Sequence, residues 1–524
     1  MRTFLQSMGV DQWILPALVL WPLLAAVGVR ILGRDASQEE LEAAAPNDGL
    51  DARLLTVLAL AVEAVLSLAL WGVAGGQTPG WQARFDMAWL VDLGATISMG
   101  VDGISLPMVV LTGVLLPLTM LATWNNVRTR TPAYGTLVLV LTSGIMGVLV
   151  SLDLLLFYLM WELMLVPTYF MIGIWGTGNA IRASIRYVLF TLVGSLLMLV
   201  AMLALWNAGG ASSFHIDHLS QVLLTPQVQL WMFAAFFLAF AVKSALVPFH
   251  TWLPDAQSSA PTFVAVTLGL KVGVYAILRF AIPLFPAAAT HPVVRNVIVI
   301  TAVVAIVYGA FVAMAQRDLK RLISYSSISH LGFIMLGTFV LTQQSVQGAV
   351  MIMINHGITT SALFLLVGML YDREGRTDIG AFGGLARAMP AFSIMMTLAI
   401  LSTVGLPGTN GFVGEFLVLI GSYGEEPVLT VIATSGVIFA AVYGMRVLGG
   451  VVFGPTTPTE TSGRTDLTRR ELAIVGVFAV AIVWLGVAPN RLLNSLEPAT
   501  RGVIEAARFG PNATASVVPP ATSR

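Results

Sequence analysis

The chain has 524 residues, of which 57% are hydrophobic and only 10% charged, with a mean hydropathy of +0.86. Soluble domains carry about 25% charged residues, so a soluble enzyme is excluded. Basic and acidic residues balance at 27 each, which leaves no footprint for nucleic acid, and the absence of cysteine excludes disulfides, iron–sulfur clusters, thiolate zinc and covalent haem.

Residues 1–12 lack the features of a secretory signal, so the apolar stretch from Trp13 is expected to be retained. A bilayer core about 30 Å thick needs about 20 helical residues to cross. Fourteen such spans are predicted, at 12–32, 53–74, 104–124, 134–150, 153–176, 184–206, 228–248, 262–284, 294–315, 322–341, 346–370, 391–420, 428–452 and 471–488. Helices are required because lipid cannot satisfy free backbone groups, and runs such as 137–150 lack the alternation of a barrel strand. The expected fold is therefore an all-α polytopic membrane protein. Assigning Lys and Arg to alternate connections places 16 on one face and 7 on the other, and the positive-inside rule then puts both termini outward. The connection at 249–261 has neither Lys nor Arg and supports neither side. The acidic connection from Asp35 to Asp51 reads as a solvated loop.

In chain order, Glu63 of span two reads as an isolated glutamate, interior or at the lipid edge. Glu162 lies near the middle of span five, and Lys243 lies just before the run Val247-Pro248-Phe249-His250-Thr251-Trp252-Leu253-Pro254 that interrupts span seven. Lys271 sits inside span eight, His330 inside span ten and His356 inside span eleven. Span twelve is interrupted by Gly405-Leu406-Pro407-Gly408-Thr409-Asn410-Gly411, with Glu415 beside the break. Arg279 and Arg446 lie toward span ends, where long side chains snorkel. Broken helices five spans apart point to two inverted five-helix repeats, spans four to eight and nine to thirteen. The predicted organisation is 1–133 with the first three spans, 134–284 and 294–452 as the two repeats, and 453–524 with the last span and a polar tail.

Glu162, Lys271, His330 and His356 lie roughly 12–15 Å into their spans at about 1.5 Å per residue, and Lys243 and Glu415 adjoin the breaks. Charges at such depth are costly and mark ion or proton pathways. Only three of the basic residues are lysines, two of them inside apolar runs. Unlike arginine, lysine can release its proton, so a Glu162–Lys243 pair would act as a switch, with Lys271, His330 and His356 next and Glu415 at the end. The alternatives are inert structural ion pairs and, for the two histidines, packing or paired haem ligands. No dinucleotide loop, P-loop or metal-ligand cluster is found, so no site for bond-breaking chemistry or for a cofactor is expected in this chain.

The segments at 160–176, 240–262, 321–333, 354–373 and 405–421, among them MWELMLVP, KSALVPFHTWLPDA and GLPGTNGFVGEF, resemble the antiporter-like membrane subunits of respiratory complex I, the NADH–quinone oxidoreductase. The resemblance covers about residues 90–490, and is greatest to the member type with glutamate in the broken twelfth span, as at Glu415. It implies proton translocation driven by electron transfer in partner subunits, which would hold NADH, FMN, iron–sulfur clusters and quinone. Neighbouring antiporter-like subunits and the bilayer are the implied partners, no nucleic acid is expected, and the bacterial inner membrane is the implied location. Glu162 and Lys243 would form the Glu–Lys pair, Lys271 the central lysine, Glu415 the terminal group, and His330 and His356 part of the hydrophilic axis. An Mrp-type sodium/proton antiporter or a membrane-bound hydrogenase shares this pattern and is the alternative; an inert membrane scaffold is a third reading. Two departures matter. Gln257 replaces a usual histidine, which bears on proton uptake near the seventh break, and the 261–271 stretch is about three residues short. Three residues turn a helix by about 300°, so Lys271 keeps its face only if the helix rearranges locally.

Overall fold

The computed structural model describes residues 9–35, 50–75, 79–455 and 465–511. Among them, 13 helices are long and apolar enough to cross a membrane. The predicted span twelve is instead two shorter helices, Pro390–Thr403 and Asn410–Tyr423. Most of the acidic connection after span one lies outside the described residues.

Burial sorts the spans into an inner and an outer set. In Thr262–Leu284 and Leu319–Val340 94% of the most apolar stretch is enclosed by protein, and in Gln343–Glu374 all of it is. The corresponding share is 39% in Val10–Leu32 and Ala52–Ala74 and 33% in Pro427–Val452 and Arg469–Val487, which present apolar side chains outward. Exposed Leu, Ile and Val on these outer helices are what a lipid-facing surface requires. The three most enclosed helices are those that carry Lys271, His330 and His356.

The connections divide consistently between two faces. On one face a β-hairpin, Gln82–Leu90 paired antiparallel with Ala95–Val101, packs on the loop before span five through Leu152 N donating to Ser98 O. Asp153, in that loop, accepts from the Thr96 backbone and caps the helix by accepting from Leu155 and Leu156 N. On the other face Asp255, in the connection that lacks basic residues, is bracketed by Arg186 at 2.5 Å and Arg321 at 3.0 Å. That connection therefore sits among the arginine-rich loops, and its own acid explains why it needs no cation.

Two further features depart from the sequence reading. The polar tail begins with a 20-residue amphipathic helix, Asn490–Phe509, which buries Leu492, Leu496, Val503 and Ala507 on one side. Arg279 does not snorkel: it is 7% exposed and its Nη2 donates to Asp102 Oδ1 at 2.6 Å. Arg446 reaches the backbone carbonyl of Met314.

Candidate functional site

At the breaks in spans seven and twelve, side chains donate to backbone carbonyls. The helix Pro226–Lys243 ends where Ala245 takes a positive φ of 56°, and the chain resumes as Trp252–Ser259. Proline at 248 has no N–H to continue the ladder. The Trp252 indole donates to the Val242 carbonyl at 2.9 Å across this gap. At the second break Asn355 Nδ2 donates to Asn410 O at 2.6 Å, and Ser402 Oγ donates to Asn410 Oδ1 at the same distance. Polar residues at membrane depth thus line the places where the helices open.

Span eight contains a third interruption. Its helices Thr262–Thr267 and Val272–Ala276 are separated by Leu268 to Lys271, and a π-helical stretch follows at Ile277–Ala281. Lys271 stands at the start of the second segment with φ −88° and ψ 45°, outside the helical register. This is a local rearrangement of the kind that the shortened 261–271 spacing requires. Gln257 is fully buried and braces the turn before it by donating to Ala265 O at 3.1 Å.

Beside the second break, three of the candidate groups come together. His330 Nε2 lies 3.1 Å from Glu415 Oε1, and the His330 and His356 rings meet edge to face with centroids 5.4 Å apart. His330 Nδ1 lies 2.7 Å from the Ser326 carbonyl, and Nε2 is also 3.1 Å from the Thr403 carbonyl that the break frees. Both ring nitrogens therefore face acceptors only, an arrangement that the doubly protonated imidazolium satisfies with a donor on each nitrogen. His356 has Thr360 Oγ1 at 3.1 Å. Lys271 is 4% exposed and has no hydrogen-bond or ion-pair partner among the described residues.

Gly405 makes room for Glu415. Its φ is +77°, and an added Cβ would stand 2.7 Å from Glu415 Oε2. Gly405→Ala is therefore expected to cost about 1–2 kcal/mol for the left-handed backbone alone and to push the carboxylate away from His330. A lower thermal midpoint in detergent would register the first effect.

Near the first break the predicted pair is apart. Glu162 and Lys243 form no ion pair within 4.0 Å; Lys243 Nζ donates to Tyr187 Oη at 3.0 Å and lies 5.6 Å from the Trp161 ring centre. Glu162 lies in the last turn of the helix Leu154–Leu163 and has one carboxylate oxygen buried without a partner. The kink after it follows from Pro167, which leaves the Leu163 carbonyl without its donor. Sequence reasoning missed Tyr187, which holds the lysine, and Thr360, which lies against His356. Glu63 proves to be interior rather than at the lipid edge, with both carboxylate oxygens unpartnered.

Residues 151–440 match the family model described as NADH:quinone oxidoreductase/Mrp antiporter, TM. The chain is 39% identical over 508 residues to NADH-quinone oxidoreductase subunit M of Rhodobacter capsulatus, covering 94% of this chain and 97% of that protein. It is 38% identical over 466 residues to the Escherichia coli K12 protein of the same name, covering 84% and 90%. Among solved structures, a chain of respiratory complex I from Thermus thermophilus with bound NADH superposes with a TM-score of 0.84 at 31% identity, over 94% of this chain and 99% of that one. A chain of the Mrp complex from a Dietzia species shares the fold, with a TM-score of 0.78 at 20% identity and the same 94% and 99% coverage.

Proposed function

The chain belongs to the family of NADH:quinone oxidoreductase and Mrp antiporter membrane subunits, and from this premise we infer that it is the proton-translocating subunit M of an NADH–quinone oxidoreductase. It is a multi-pass membrane subunit of that enzyme complex. The chain itself carries no redox centre; NADH, FMN, iron–sulfur clusters and quinone belong to partner subunits, and the nearest partners are other antiporter-like subunits. The membrane is the bacterial inner membrane, with the arginine-rich face in the cytoplasm and both termini outside.

Protons move along Glu162, Lys243, Lys271, His356, His330 and Glu415. The observation that carries this reading is the buried contact of His330 with Glu415 at 3.1 Å, with the His356 ring edge to face behind it. A charge near the bilayer centre costs about 2.5–3.5 kcal/mol on insertion scales, so a proton arriving at one member changes which neighbour favours holding the next. At the first break Lys243 is held by Tyr187 and not by Glu162, which is the separated form of the switch. In this form the Lys243 ammonium has no carboxylate within ion-pair distance, and from here the path continues toward Lys271.

Tyr187→Phe keeps the ring beneath the ammonium and removes only the acceptor. It should lower NADH-driven proton uptake into sealed vesicles at least tenfold, the effect of losing one hydrogen bond to a charged group at about 1.5–3 kcal/mol; an unchanged rate would remove Tyr187 from the path. Parentage is tested by purifying the tagged chain from native membranes. NADH-oxidising and iron–sulfur subunits should accompany it, whereas cation-antiporter subunits or a nickel hydrogenase would favour the alternative parent.

A further inference from the structure

An apolar groove of about 640 Å³ runs down the side of the bundle, away from the row of proton groups. Its size falls within the range of about 300–1,000 Å³ usual for ligand sites. Its walls include Val114 and Leu118 of span three, Ile354 and Ile358 of span eleven, and Phe478 and Ala481 of the last span. Its upper end is the start of the amphipathic helix Asn490–Phe509, at Arg491, Leu492 and Ser495. Ser495 packs on Gly103, two residues after the β-hairpin, so the groove opens at the hairpin face of the membrane. Leu68, Val477 and Trp484 along its rim are exposed and leave it open sideways, where lipid lies.

The depth of the groove matches one leaflet. Span three contributes from Pro107 to Leu118, a rise of about 16 Å at about 1.5 Å per residue, and half of a bilayer core is about 15 Å. On the last span the wall runs from Val477, near the middle of Arg469–Val487, to Leu485 near its outward end. Span two adds only its last turns, through Leu68, Trp71 and Gly75. A helix of a neighbouring subunit crosses the whole core of about 30 Å and would outrun the groove, whereas a lipid acyl chain ends at mid-membrane.

The rim selects the headgroup. Arg491 is the one charged residue along the groove; it is exposed, and its guanidinium has no hydrogen-bond or ion-pair partner among the described residues. Trp71 and Trp484 stand three residues from the outward ends of their spans, the level at which indole rings anchor among headgroups. Neither indole N–H has a partner among the described residues. A guanidinium grips phosphate with paired N–H donors. With no acid along the groove, a headgroup of net negative charge is favoured over a choline, whose ammonium would face Arg491.

We propose that this groove binds one anionic phospholipid of the outward leaflet, with its phosphate on Arg491 and an acyl chain along spans three and eleven and the last span. Ile354 and Ile358 are four apart and share a helix face, while His356, two residues from each, points to the opposite side. The end of the chain thus lies behind the turn that carries His356. The site requires no assumption about which groups carry protons.

The test uses the assembled complex in nanodiscs of phosphatidylcholine containing phosphatidylglycerol with a photoactivatable diazirine at the end of one acyl chain. After illumination, adducts should appear on peptides holding Ile354, Ile358 and Val477. Unlabelled phosphatidylglycerol should compete them away, and added phosphatidylcholine should not. Arg491→Gln, at an exposed and unpaired position, should lower this labelling about fivefold, the share of one interfacial cation, and Arg491→Lys should retain most of it. Val114→Trp, which fills the groove and leaves Arg491 in place, should remove the adducts. Groove peptides free of adduct in the native complex, as a covering subunit would leave them, overturn the site, and so do adducts that persist in Val114→Trp. Labelling that phosphatidylcholine competes equally well, or that survives Arg491→Gln unchanged, overturns the anionic headgroup.

Discussion

Lys271→Met lowers NADH-driven proton pumping at least tenfold, equivalent to about 1.4 kcal/mol or more on the barrier, while the assembled complex unfolds no more readily than the native one. The two halves of this result belong together. Lys271 is 4% exposed and its ammonium has no protein partner among the described residues, so in the folded chain its charge is a cost without a compensating contact. Methionine is close in length and apolar, and volume-conserving swaps in packed interiors usually cost less than about 1.5 kcal/mol before any gain from the missing charge. A lysine kept for structure would show the reverse, a loss of stability with pumping intact. Lys271→Arg should also fail to pump, since arginine fills the position but keeps its proton.

The second large effect is at Glu415. Glu415→Gln preserves the volume beside Gly405 and can still accept from His330, but it removes the negative charge that faces His330 Nε2 at 3.1 Å. His330 is then surrounded by carbonyl oxygens with no counter-ion, so the arrangement that suits the imidazolium is lost and the last acceptor of the row is gone. Pumping measured as acidification or alkalinisation of sealed vesicles should drop at least tenfold. Glu415→Asp, with the carboxylate withdrawn by one methylene, should retain an intermediate rate. Native pumping in Glu415→Gln would remove the residue from the path.

What could be read from the sequence follows the physics of each feature. The breaks after Lys243 and Thr403 were legible because proline and glycine advertise themselves inside an apolar run. The break at Lys271 has no proline, and only its shortened spacing hinted that the helix could not run straight. His330 and Glu415 were each legible as costly buried groups, but their contact joins residues on different spans, which sequence spacing does not reveal. Asp102 was missed because it precedes span three and meets a partner 177 residues away. Arg279 was misread for the same reason: near a span end snorkelling is the simpler expectation until the paired acid is seen. The Asn490–Phe509 helix was hidden by its polarity, although Leu492, Leu496, Val503 and Ala507 already carry a helical spacing. The Glu162–Lys243 pair could be anticipated as two residues but not as a state, and here the lysine sits on Tyr187.

The claim on which the rest depends is that these groups form one path. Its most direct test is a double-mutant cycle on proton pumping by the assembled complex, with Lys271→Met, Glu415→Gln and the two combined. Residues acting as a unit are strongly non-additive, so the double variant should pump no more slowly than the slower single variant. Losses that multiply, about a hundredfold from two tenfold effects as expected of independent sites, would contradict a single path through Lys271 and Glu415.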